Sequence, residues 1–188
     1  MALHTSGIAL NTGKTLSPAE ALTALGLRGT PVDETIPVGR ALTLAPDEGV
    51  AIGAVDSWSL IFGSSLYMPM ADSQMRELPM GPGFWNVKVQ EGLSKLTEKG
   101  AKIFGFIAEG ASMTYGFEWY QHGLQRRHLE VDGDELINEG HPLPGEEEAF
   151  EQAEDEEQRI WLMMEPLTFS FAKSNAAQFT RFRDVRGV

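Results

Sequence analysis

A net charge of −12 over 188 residues, from 15 Lys and Arg against 27 Asp and Glu, repels nucleic-acid phosphates and anionic lipid, so general nucleic-acid or membrane-surface binding is excluded. The length suits a single compact domain spanning 1–188, and a 42% hydrophobic fraction with ten Phe and four Trp supplies enough apolar surface to fold. With no cysteine, disulfides, thiol nucleophiles and thiolate metal sites are out of reach, and together with a start lacking a basic, apolar export signal this predicts a cytoplasmic protein.

Ser17-Pro18-Ala19-Glu20 combines an N-cap serine, a proline at the first helical position and a glutamate placed to bond back to the cap, which predicts a short helix running to about Gly26. Gly29–Pro37 reads as a Gly-, Pro- and Thr-rich connection. Ala41–Ala45 and Val50–Val55 flank Pro46-Asp47-Glu48-Gly49, residue types that suit a turn, and predict a hairpin. After a bend at Asp56, Trp58, Leu60 and Phe62 alternate with their neighbours as a further strand does.

Ser64–Gly83 has no clean period and reads as an ordered loop. From Phe84 to Lys99, Trp85, Val89, Leu93 and Leu96 recur every three to four residues opposite Lys88, Glu91, Lys95 and Glu98, with Gly100 as a stop, which predicts an amphipathic helix. Lys102–Ala108, Ser112–Tyr120 and Leu124–Val131 follow as a meander, divided at Glu109-Gly110 and His122-Gly123 and closed by Asp132-Gly133. Tyr115, Phe117 and Trp119 share one face of the middle strand, where core packing accounts for them more simply than a stacking platform.

Past the break His141-Pro142-Leu143-Pro144-Gly145, the segment Glu146–Glu157 places eight carboxylates in twelve residues with no basic partner in sequence. Phe150, Ala153, Ile160, Trp161 and Met164 keep a helical stripe through it, so 142–157 reads as an acidic connection or helix start, favoured there by the helix dipole. Thr168–Ala172 suits a short strand, and the cations that follow, Lys173, Arg181, Arg183 and Arg186, are candidates to pair with the acidic run. The fold class these elements predict is α+β, an antiparallel sheet of meander and hairpins packed against a few helices.

Motifs that carry chemistry are incomplete. Gly13-Lys14-Thr15 is preceded by Gly7 at the wrong spacing for a phosphate-binding loop, and Gly105, Gly110 and Gly116 do not form GxGxxG. Gly63-Ser64-Ser65-Leu66 lacks the second glycine of a nucleophile elbow, and Asp132-Gly133-Asp134-Glu135 places glycine too early for a calcium loop. His4, His122, His128 and His141 show no metal-ligand spacing, and His122 and His128 read as surface turn residues. No cofactor and no metal is therefore expected. Glu109 and Glu118, on neighbouring predicted strands, are the pair an acid–base enzyme would use in a cleft between the sheet and the Phe84–Lys99 helix.

The Trp58 strand, the helix ending Leu93-Ser94-Lys95, the segment Tyr115-Gly116-Phe117-Glu118-Trp119-Tyr120-Gln121-His122-Gly123 with Arg126-Arg127, and the run from Asn138 to Glu146 together resemble a loosely related set of small, largely uncharacterised bacterial proteins that includes immunity proteins of toxin systems. The resemblance covers about half the chain and implies action by binding. The leading expectation is a non-catalytic cytosolic binding protein, an immunity or anti-defence factor occluding a basic partner protein through Glu146, Glu147, Glu148, Glu151, Glu154, Asp155, Glu156 and Glu157. The alternatives are a small hydrolase or ligand-binding enzyme using the sheet–helix cleft, and a structural subunit of a homo-oligomer.

Overall fold

The computed structural model describes residues 4–63, 66, 85, 87–110 and 113–187. Nine strands form one antiparallel sheet: β1 (His4–Asn11), β2 (Leu27–Pro37), β3 (Val50–Val55), β4 (Trp58–Phe62), β5 (Lys102–Glu109), β6 (Thr114–Gln121), β7 (Leu124–Val131), β8 (Asp134–Gly140) and β9 (Gln178–Gly187). Their order is β2-β9-β3-β4-β1-β5-β6-β7-β8, so the last strand returns to insert between β2 and β3 while β5 to β8 form a continuous meander. The helices are α1 (Pro18–Ala24), α2 (Val38–Ala41), α3 (Val87–Glu98), α4 (Glu146–Gln152), α5 (Glu156–Met164) and α6 (Phe171–Ser174). The α+β class predicted from the sequence holds.

Alternation along the central strands sends two different kinds of side chain to the two faces. Phe62, Phe104, Phe106, Phe117 and Phe179 meet on one face and are covered by Ala41 of α2, Ala149 of α4, and Ile160, Trp161 and Met164 of α5. Ile8, Leu10, Ile52, Ile61, Ile103 and Ile107 line the other, under Leu22 of α1 and Val89 and Leu93 of α3. Both faces are thus dry, and the sheet is the middle of three layers. Full burial of each such side chain stabilises the fold by about 1.5–3 kcal/mol.

The capping box predicted at α1 is present: Ser17 Oγ accepts from the Glu20 amide, and the Glu20 carboxylate accepts from the Ser17 amide at 2.8 Å. The Phe84–Lys99 helix forms as Val87–Glu98, and Gly100 takes the left-handed conformation that ends it, at φ 85°. The meander turns carry His122 and Gly123 at φ 57° and 109°, and Asp132 and Gly133 at φ 56° and 80°, the paired positive angles a tight hairpin needs.

Four expectations are corrected. Gly29–Pro37 is part of β2, paired with β9. Ala41–Ala45 is not a strand, and β3 pairs instead with β4 and β9; the Glu48 carboxylate accepts from the Ala45 amide at 2.8 Å and pairs with Arg40, which winds Pro46–Glu48 into a single 3-10 turn. Thr168–Ala172 gives no strand, because the segment leads into α6. The acidic stretch is two helices rather than one, since Asp155 Oδ1 accepts from the Gln158 amide at 2.8 Å and starts α5 anew. The loop read over Ser64–Gly83 lies outside the described residues apart from Leu66, which is buried.

Candidate functional site

The meander brings the charged groups of the second half together at the β8 end of the sheet. Arg126 and Arg127 are consecutive in β7, and a strand turns consecutive side chains to opposite faces, so each enters a different layer. Arg127 enters the α3 layer. Its Nε donates to Glu118 Oε1 at 2.7 Å, and Glu118 Oε2 accepts from Trp85 Nε1 and from the Tyr120 hydroxyl, both at 2.6 Å. Trp85 reaches this carboxylate because Gly105, opposite Glu118 in the register, leaves its ring room: a methyl there would lie 2.3 Å from Trp85 Cζ2.

Glu118 has no exposed surface. Burial pushes its carboxyl above the usual carboxylate range, against the opposing pull of the Arg127 charge and the hydrogen bonds from Tyr120, Trp85 and Arg127. Burial, reinforced by the Glu118 charge, likewise raises the Tyr120 phenol. With its two oxygens held by three donors inside the layer, Glu118 is not presented to a substrate. Glu109 is half-buried at the far end of β5, opposite Thr114.

Arg126 enters the other layer and anchors α4. Its Nε lies 3.1 Å from both Glu146 oxygens and its Nη2 2.5 Å from Oε1; its Nη1 donates to Asn138 Oδ1 at 2.6 Å and to the Glu139 carbonyl at 2.9 Å. Glu146 also accepts from the Leu143 amide at 2.7 Å. Both side chains are at most 6% exposed. The guanidinium stands 5.7 Å from the Phe117 ring centre, and His128 stacks on that ring from β7 at 5.5 Å. His128 is 2% exposed, with Nε2 3.0 Å from Glu130, which corrects the reading of it as a surface turn residue; His122 does lie in a turn. Arg159 of α5 donates to Glu130 at 3.2 Å and lies over the Tyr115 and Phe150 rings.

The eight carboxylates named from the sequence divide accordingly. Glu146 is buried and belongs to the framework. Glu147, Glu148 and Glu151 on α4, with Glu154 and Asp155 at the corner before α5, are exposed, and among the described residues no cation pairs with them. Glu156 and Glu157 begin α5, and their side chains lie outside the described set. The expectation that the C-terminal cations neutralise this run is corrected: Lys173 of α6 pairs with Asp56 at 2.7 Å, and Arg181 pairs with Glu48 at 3.6 Å because β9 runs on the opposite half of the sheet.

Sequence reasoning missed that Arg126, Arg127, Glu118 and His128 are interior. The signal available was an Arg-Arg pair inside a predicted strand that follows an aromatic one, a pattern that alternation must split between two faces. Elsewhere, an open groove of about 500 Å³ lies between α1 and α3, lined by Thr12, Lys14, Leu16, Ala19, Glu20 and Leu96 and mainly apolar. Among the described residues no group of three or more His, Asp and Glu is arranged to hold a metal, and no helix is long and apolar enough to cross a membrane. Comparison with protein-family models, with curated proteins and with solved structures finds no match for the chain.

Proposed function

We propose that the chain is a non-catalytic binding protein, of the immunity or anti-defence kind, that occludes a basic partner protein with the acidic end of its sheet. The observation that carries this reading is the exposed group Glu147, Glu148 and Glu151, on a helix that a buried ion pair clamps to β7, with Glu154 and Asp155 at the corner that follows, all without a paired cation among the described residues. A clamped helix presents its charges at fixed positions, so little ordering entropy is lost when a partner docks. Complementary charge accelerates association and selects the partner, and apolar contacts supply most of the affinity. Leu136 on β8, 57% exposed, is an apolar group available at the same end.

The test is a capture of partners from the native host followed by association kinetics with the recovered protein. Reversing charge in the triple variant Glu147→Lys, Glu148→Lys, Glu151→Lys is expected to slow association by about tenfold or more and to flatten its dependence on salt. Unchanged association rates and salt dependence remove the acidic helix from the function.

A further inference from the structure

The outermost strands of the sheet, β2 and β8, differ in how their free edges are treated. The β2 edge is interrupted: Pro31 has no amide hydrogen, and the pairing with β9 slips register between Arg28 and Thr30 and again between Pro31 and Thr35. β8 has no proline, and after one irregularity opposite Leu129 and Glu130 it runs in register with β7 from Ile137 to Gly140. Asp134, Glu135, Leu136, Asn138 and Glu139 are all exposed. Among the described residues no strand pairs with the outer side of β8, which is therefore a row of backbone donors and acceptors flanked by one apolar side chain and three carboxylates, of which Glu139 also lies 3.7 Å from Arg127.

We propose that the β8 edge accepts an extended, basic segment of the partner protein as an added antiparallel strand. The backbone ladder would supply affinity regardless of sequence, and Asp134, Glu135 and Glu139 would select lysine or arginine at the facing positions. The same carboxylates disfavour a second copy of this chain. Two β8 strands paired antiparallel about Ile137 place Glu135 opposite Glu139 twice, and like charges directly opposite destabilise a ladder. This inference rests on the reading of the acidic end as a surface for a basic protein and adds the means of contact.

The experiment uses the full chain and two synthetic probes, the peptide Lys-Val-Lys-Val-Lys-Val-Lys and its fully backbone-N-methylated form, which keeps the charges and side chains but cannot form a ladder. The expected result is that the first peptide slows amide hydrogen exchange in Asp134–Gly140 by about tenfold or more and that the methylated form binds at least about tenfold more weakly. Equal binding of both probes, with protection in α4 and none in β8, overturns the added strand and leaves the acidic-surface reading standing. Failure of both probes to bind in a salt-dependent way overturns the added strand and the acidic-surface reading together. Protection of β8 that rises with protein concentration without peptide overturns the basic partner in favour of self-pairing.

Discussion

The clamp between Arg126 and Glu146 sets both the stability of α4 and the placement of the exposed carboxylates, so its removal is the most informative perturbation. In Glu146→Gln the guanidinium, 4% exposed, keeps neutral acceptors in Asn138 Oδ1 and the Glu139 carbonyl but loses its counter-charge. In Arg126→Met the Glu146 carboxylate keeps, among the described residues, a single donor, the Leu143 amide, for a buried full charge. Breaking a buried pair from one side costs about 3–5 kcal/mol; the neutral acceptors that the guanidinium keeps place Glu146→Gln near the lower end and Arg126→Met near the upper. At roughly 2–4 °C per kcal/mol for a chain of this size, the expected falls in Tm are about 6–12 °C and about 10–20 °C. The double variant Arg126→Met, Glu146→Leu removes both charges and should fall within about 1 kcal/mol of the parent or exceed it. Urea denaturation followed by circular dichroism, with the single Glu146→Leu measured beside Arg126→Met and the double variant, closes the double-mutant cycle. Single losses under about 1 kcal/mol that add without coupling would show that the pair is screened by water and refute the clamp.

Glu118 gives a pH test with a definite sign. Its folded-state pKa lies above its ordinary value, so the folded protein holds this proton more tightly than the unfolded chain, and its contribution to stability is lost as pH rises through the folded pKa. Denaturation free energies of the parent and Glu118→Gln, compared from about pH 4 to about pH 8, should therefore shift in favour of the variant as pH rises; a shift the other way refutes the dominance of burial. Gly105→Ala drives a methyl into Trp85 and should cost about 1–3 kcal/mol in urea denaturation, whereas a loss below about 0.5 kcal/mol would mean the indole does not rest against β5.

Much of the fold was legible because local signals agreed with tertiary ones. The Ser17 box, the Val89 and Leu93 stripe with its Gly100 stop, and the turns at His122-Gly123 and Asp132-Gly133 each specify one conformation without long-range help. Where the sequence misled, the deciding partner lay far along the chain: β2 reads as a connection because its Gly, Pro and Thr content suits a loop, and only β9, about 150 residues later, makes it a strand. The hairpin expected at Pro46–Gly49 failed for the same reason, since Val50 and Ile52 find Phe182 and Thr180 as neighbours instead of Ala41–Ala45. At the candidate site the composition of the acidic run was legible, and its division was not. Glu146 differs from Glu147 in nothing the sequence displays, and the position of α4 over Arg126 is what buries the one and exposes the other.

That division explains how this end of the molecule becomes acidic. Read along the chain, Arg126, Arg127 and Arg159 offset the carboxylates of β7, β8 and α4, and the local charge looks mixed. In three dimensions these cations are committed: Arg127 to Glu118 in one layer, Arg126 to Glu146 in the other, and Arg159 to Glu130 beside the aromatic cluster. Each neutralised pair removes one negative charge as well, but the glutamates held most closely are the buried or half-buried ones, and the exposed Glu139 reaches Arg127 only at 3.7 Å. What remains exposed, from Asp134 and Glu135 through Glu139 to Glu147, Glu148, Glu151, Glu154 and Asp155, is nearly uniform in sign. A surface built this way keeps its field as long as the interior pairs hold, because Arg126 and Arg127 are held inside by their buried carboxylate partners and hydrogen bonds against the pull of water. The two interior ion pairs are therefore the structural cause of the outer charge, and loosening either would weaken the acidic surface without touching a residue on it.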